Sequence, residues 1–506
     1  MLRVLRFLLI AVAVVVIALG ATAAFLLQDP NRFKPRIEAL IAEQTGVPVT
    51  IGGELGWRLW PPVSVTAEAI SADYEGQQWR VGQLTLDLDA IAAVRDPDRW
   101  RVESLTVDNA TLSQEGSILT VSQARLRDLI PNQPAPLTAD LTYTAEGQEP
   151  RPVQVRGQVA VNPETLDVSL QNTRFETTDA EGVCNLEARP APDPAPAPAP
   201  TEEDLIPVDL FRAWSWTGEC QLDWVQVDDR RFENVTVDLE NEAGNGMITA
   251  RAPRFFGGEA VGDIAIDARS TPVKWTVTPT LTGVNSKELM EWLDQRLNWM
   301  ANLAYGGTLT FEGNTAEALL ASMSGQTRFD GGQGHIDIAR IRGQLLNLAN
   351  MFNEGERIQG WPEVWDYQRF VGNWRIERQH HQLQATLDNL SLAAEGDYRP
   401  GADEMDMLLT LVFTNDPSLP VFDLHPMLYD LPIPVRCRGS LADPTCRVDQ
   451  QVAQSIVAQA LSGENTELRS TLERKIEEDV PEEYRDAARS LLDALGGSRK
   501  RETRED

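Results

Sequence analysis

Histidine is scarce in this chain of 506 residues: there are four, and two of them, His380 and His381, are adjacent. Neighbours on a strand point to opposite faces, so that pair does not converge on one metal ion. His335 and His425 lack the ligand spacings of zinc sites. The four cysteines form no C-x-x-C, and the chain has no G-x-S-x-G elbow, P-loop or dinucleotide fingerprint. Carboxylates are plentiful, but they fall on the polar positions of strand-like runs, where solvation accounts for them. No catalytic residue, cofactor site or metal set emerges, and the sequence reads as a non-enzyme. Basic charge is short as well. Lys and Arg total 45 against 76 Asp and Glu, a formal net charge of −31. Phosphate backbones need clustered Lys and Arg, so nucleic acid is excluded as a partner class, and broad adsorption to anionic membranes is disfavoured.

One long apolar run is present, residues 7–27, FLLIAVAVVVIALGATAAFLL. At about 1.5 Å per helical residue it is long enough to cross a hydrocarbon core of about 30 Å. Arg3 and Arg6 precede it and Asp29 follows, which predicts a cytoplasmic N-terminus and an exported body. Ala21-Thr22-Ala23 resembles a signal-peptidase site and offers a cleaved signal as the alternative. The apolar run exceeds a signal-peptide core and continues past that site, so a retained anchor is the reading adopted. Export follows from either.

Beyond the anchor, Phe33, Ile37, Leu40 and Ile41 share a helical face over residues 30–45. From about residue 49 to 440 period two dominates. Leu84, Leu86 and Leu88 alternate with polar residues. So do Val153, Val155, Val159 and Val161; Leu166, Val168 and Leu170; Val235, Val237 and Leu239; and Met405, Met407, Leu409 and Leu411. Val102, Leu105 and Val107 follow the pattern more loosely. This is the signature of antiparallel strands with one dry and one wet face. A helix is predicted over 286–299 and a weaker one over 345–352. Residues 189–200, RPAPDPAPAPAP, read as a semi-rigid extended linker. Charged, helix-favouring segments fill 451–461, 466–478 and 482–495. The predicted regions are an anchor at 1–28, a helix and β-sheet at 29–188, a Pro/Ala linker at 189–207, a second β-rich region at 208–450 and a helical tail at 451–506.

The cysteines are an even number in an exported chain, which permits two disulfides. Cys437 and Cys446 lie on two arms around a turn. A turn centred between Leu441 and Ala442 sets them directly opposite, within disulfide range. Cys184 and Cys220 flank the proline linker, and a bridge there would tie the strands it joins.

Several ordered segments resemble the AsmA family of Gram-negative bacteria. The first is DPNRFKPRIEALIAEQTGVPVTIGGELGWRLWPPVSVTAEAIS, with T-G-x-P and I-x-G-x-L-x-W-x-x-x-P. Two central stretches follow, CQLDWVQVDDRRFENVTVDLENEAGNGMITARAPRFFGGEAVGDIAID and YGGTLTFEGNTAEALLASMSGQTRFDGGQGHIDI. The last is LPIPVRCRGSLADPTCRVD. The resemblance spans about residues 1–460 and leaves out the linker and tail. It implies a single-pass inner-membrane protein with its bulk in the periplasm, a role in outer-membrane biogenesis, and phospholipid as a partner. The family supplies no catalytic residues. The expected fold is mainly β with short helices: an N-terminal transmembrane helix, an elongated, twisted antiparallel β-sheet groove, and a helical C-terminal tail. Two functions compete. One is phospholipid binding or transfer along a hydrophobic groove. The other is a periplasmic scaffold that contacts outer-membrane or envelope proteins through the C-terminal helices. The alternation itself fits an open trough or a sealed sandwich equally well.

Overall fold

A computed structural model describes residues 30–45, 47–58, 63–74, 77–89, 101–114, 117–144, 149–198, 201, 203–295, 298–339, 359–415, 429–430, 432–440 and 444–448, with the single positions 342, 474, 477 and 485. The expected anchor at 7–27, the helix at 345–352 and the body of the C-terminal helices lie outside the described residues, as does His425. Among the described residues no helix is long and apolar enough to cross a membrane. The chain is mainly β and divides between Ala252 and Pro253 into two compact units.

The first unit opens with a 3-10 turn, Pro30–Phe33, and helix α1 (Lys34–Thr45). Ile37 and Ile41 of α1 pack into the core beneath. The helix also closes a sheet edge. β1 (Val49–Ile51) and β2 (Leu55–Arg58) both pair with β3 (Val63–Tyr74). Glu38 accepts from the Ile51 N–H at 2.7 Å, Asn31 accepts from the Leu55 N–H at 3.0 Å, and Lys34 donates to the Gly53 carbonyl. Backbone groups that an edge leaves unpaired are thus satisfied by side chains. Gly53 has no alternative, since a Cβ there would stand 2.7 Å from that of Glu68.

From β3 the chain is a meander: β4 (Gln77–Leu88), β5 (Val102–Gln114), β6 (Ser117–Leu129), β7 (Ala135–Thr144), β8 (Arg151–Val161), β9 (Val168–Thr177), β10 (Ala180–Pro190), β11 (Trp214–Val227), β12 (Arg230–Glu242) and β13 (Asn245–Phe255). Each pairs antiparallel with the next. The proline-rich segment and helix α2 (Val208–Ala213) are an insert between two strands that pair directly. Several strands carry bulges. Ala69 in β3 and Asn109 in β5 have φ of 49° and 54°, and each lets the alternation skip one residue. Val65, Ala67, Ile70 and Ala72 therefore share a side although their numbers change parity. One expected strand residue is not in a strand. Leu166 sits in the turn before β9, with φ of 60°. Asn162 accepts there from the N–H groups of Glu164 and Thr165 and holds the turn closed.

The second unit repeats the plan with β14 (Gly258–Asp267), β15 (Lys274–Asn285), helix α3 (Ser286–Trp292), β16 (Trp299–Glu312), helix α4 (Ala316–Ser322) and β17 (Ser324–Asp330). A short flap, β18 (Gly334–Asp337) and β19 (Val364–Tyr367), pairs with the start of β16. The main meander resumes in β20 (Phe370–Glu377), β21 (His380–Leu387), β22 (Leu390–Arg399), β23 (Glu404–Phe413), β24 (Ile433–Gly439) and β25 (Pro444–Val448), with β17 pairing β20. Helix α3 is shorter than the 286–299 expected. Asn285 caps it, accepting from the Lys287 and Glu288 N–H groups. Asp294, with φ of 54°, turns the chain away, and Trp299 is claimed by β16, where its buried indole N–H donates to the Tyr367 hydroxyl at 2.5 Å.

Candidate functional site: the uncharged face of the sheets

Strand register turns the alternation of the sequence into two surfaces of opposite chemistry. In the second unit one row of directly facing residues runs Ile264, Val277, Leu309, Gly325, Ile376, His381, Gly396, Met407, Cys437 and Cys446, across ten strands. A parallel row includes Pro279, Thr327, Trp374, Leu383, Ala394, Leu409, Val435 and Val448. Neither row contains Asp, Glu, Lys or Arg. One residue along each strand, the opposite face reads Ala265, Thr276, Thr310, Ser324, Glu377, His380, Asp397, Asp406, Arg438 and Thr445. That face is laced with ion pairs. Arg436 and Arg438 reach Asp406 at 2.9 and 3.0 Å, and the bonds from Arg436 and then Arg438 hold its carboxyl below the usual carboxylate range. His380 meets Asp397 at 3.1 Å and Glu395 at 3.2 Å.

The first unit has the same construction. The row Ala67, Leu84, Val107, Ala124, Ala139, Val155, Phe175, Gly182, Leu222 and Val235 crosses ten strands without a charge. Its wet side carries Arg174 between Glu181 and Asp223, each at 2.8 Å. Arg231 stacks over Trp224, which donates to Glu181.

The uncharged face is covered unequally. Under α1 it is a sealed core, where Leu86 and Val102 are fully buried and Leu105 is 1% exposed. In the second unit Val277, Leu309, Leu383, Met407, Leu409 and Trp374 are only half-buried. A sandwich whose dry faces sealed each other would bury such side chains completely. Large apolar surface left partly open along a sheet marks a binding surface.

Both expected cysteine pairs are closed, and both lie on this uncharged face. Cys184–Cys220 joins β10 to β11 with a Cα separation of 4.1 Å, and Cys437–Cys446 joins β24 to β25 at 4.0 Å. The register Cys437↔Cys446 is the one implied by a turn centred after Leu441. The structure splits the histidine pair as strand geometry requires, with His380 on the charged face and His381 on the uncharged one. His335 lies at the flap beside Asp366. Among the described residues no cluster of His, Cys, Asp and Glu is arranged to hold a metal ion.

His381 is the group that sequence reasoning passed over. It is 1% exposed, between the rings of Trp374 at 5.5 Å and Tyr398 at 5.8 Å. Neither ring nitrogen has a partner among the described residues. Burial, then the neighbouring His380, pushes its pKa below the ordinary value. Its shared parity with Leu383, Ala385 and Leu387 was the signal available in the sequence.

Comparison with known protein families, curated proteins and solved structures finds no match for this chain.

Proposed function

We propose that this chain is an AsmA-like protein, anchored in the inner membrane by residues 7–27, whose periplasmic body binds or transfers phospholipid along the uncharged sheet face in the service of outer-membrane biogenesis. The observation that carries the reading is the charge-free row from Ile264 to Cys446, in which Ile264, Val277, Leu309 and Met407 are half-buried while Ile376, His381 and Cys437 are buried. An acyl chain needs apolar surface with no buried charge competing for water, and a two-faced sheet offers that surface while its outer side keeps the body soluble. The disulfides fit an oxidising compartment such as the periplasm. The sequence segments that resemble the AsmA family point the same way.

The test is lipid extraction from the purified full-length chain, with mass spectrometry of the extract. Wild-type protein is expected to carry phospholipid. The double variant Leu309→Asp/Leu409→Asp, which puts two carboxylates on the half-buried face, is expected to carry several-fold less with its circular dichroism unchanged. A folded wild-type protein that carries no lipid, or a double variant that carries as much as wild type, would overturn the reading.

A further inference from the structure

The uncharged face of the second unit holds one hydrogen-bonding side chain that the fold leaves unused. His381 sits in a row of Ile, Val, Leu and Met, directly opposite Ile376 on one side and Gly396 on the other. Gly396 contributes no side chain to that flank, and a Cβ there would meet the Asp406 carbonyl and the Met407 backbone. The other walls are aromatic, Trp374 and Tyr398. Tyr398 is half-buried, and its hydroxyl makes a 3.4 Å contact to Asp403. Helix α4 packs on the Pro400–Ala402 turn just after Tyr398, at the same end of the face.

A leucine or phenylalanine would fill this position without polar cost. Each hydrogen bond that a buried imidazole leaves unmade is unfavourable. Both nitrogens of His381 lack a partner among the described residues. The other positions of its row are apolar or glycine, so packing does not account for an imidazole here. Nor does charge pairing, since no Asp, Glu, Lys or Arg shares the row.

We infer that His381 is a ligand-binding residue: its ring N–H donates to an uncharged acceptor, an ester or ketone carbonyl, carried by an apolar chain lying on this face, with Tyr398 swinging aside to admit it. The inference rests on the reading of the face as a binding surface. It adds the position and chemistry of a polar contact on that surface. The acceptor is uncharged because a carboxylate or phosphate here would be buried with no cation on the face, among the described residues, to pair it. Burial, then the neighbouring His380, pushes the imidazole pKa down, which favours a neutral donor to a carbonyl over a partner to an anion.

The experiment uses the full chain held in an amphipathic polymer, with a lipophilic fluorophore on the face. The fluorophore is displaced by n-hexadecane or by methyl palmitate, which differ by one ester. Wild type is expected to favour methyl palmitate over hexadecane by a ratio that falls about tenfold in His381→Phe, with hexadecane affinity unchanged. His381→Gln, which keeps a donor, is expected to restore part of the ratio and so separates hydrogen bonding from packing. An unchanged ratio in His381→Phe would overturn the inference and leave the binding surface standing. Failure of both compounds to displace the probe from wild type would overturn the surface reading, and the inference with it.

Discussion

Two stretches of two-faced sheet, one in each unit, end differently. Under α1 the dry face of β3–β6 is sealed, with Leu86 and Val102 fully buried. In the second unit the equivalent face carries Val277, Leu309, Met407 and Leu409 half-buried. Both stretches have the same alternation, the same antiparallel ladder and the same absence of charge. What differs is the cover. At the sealed end a helix supplies Ile37 and Ile41 from above, and the side chains of that helix and of Asn31 also satisfy the edge strands. Alternation therefore specifies a dry side. Whether that side becomes a core or a surface depends on what is laid over it.

Substitutions sharpen this contrast. The largest effects belong to the cross-strand bridges. Removing Cys184–Cys220, which closes a separation of 36 residues, is expected to cost about 4 kcal/mol on a chain-entropy basis. Removing Cys437–Cys446, with a separation of 9, costs about 2.5 kcal/mol on the same basis. Hydrogen exchange of β10–β11 and of β24–β25 reads each bridge locally, which matters because a chain of two units need not unfold in one step.

Cavity formation comes next. Leu86→Ala in the sealed core should cost about 3 kcal/mol. Leu309→Ala on the open face should cost about 1 kcal/mol, since less area leaves water there on folding. Equal losses in chemical denaturation would mean that the open face is sealed after all.

The histidine pair gives a pH signature. His381 has a depressed pKa in the folded state, set first by burial and then by His380. The unfolded chain therefore takes up a proton first as pH falls. Stability is full above the ordinary value of 6.5 and declines below it, through the folded pKa. His380 has the opposite sign. Its pKa is raised, first by the hydrogen bond to Asp397, so its contribution is present below 6.5 and fades as pH rises through the folded value. His381→Phe should abolish the decline on the acid side and leave the His380 component, as followed in melting curves from pH 5 to 8. The smallest effect is expected on the charged face. Arg436→Ala, although it removes a partner of Asp406, should shift stability by no more than about 0.5 kcal/mol.

Much of this architecture was legible in the chain. The strands, the helix at 30–45 and the Cys437–Cys446 register follow from period two, helical spacing and one turn. The irregularities and misreadings have local causes. Val102, Leu105 and Val107 follow the alternation loosely because Glu103 lies at a shift in the β4–β5 register, which steps the alternation by one residue. Leu166 has the right parity for a strand, but it is turned out by Asn162. The predicted helix at 286–299 kept its apolar spacing past Leu293, yet Trp299 has a better partner in Tyr367, which is distant in sequence. The role of His381 is not legible in the sequence for a related reason. Its chemistry depends on what faces it across two strand pairs, and its adjacency to His380 says only that the two point to opposite faces.

The most direct test of the central claim is parity-resolved photocrosslinking in cells. A benzophenone amino acid is placed in the full-length chain at Leu309 or Leu392 on the uncharged face, and at the adjacent Thr310 or Ala393 on the other. Phospholipid adducts, identified by mass spectrometry, should appear at Leu309 and Leu392 and be absent at Thr310 and Ala393. Adducts of equal yield at all four positions, or at none, would contradict the account.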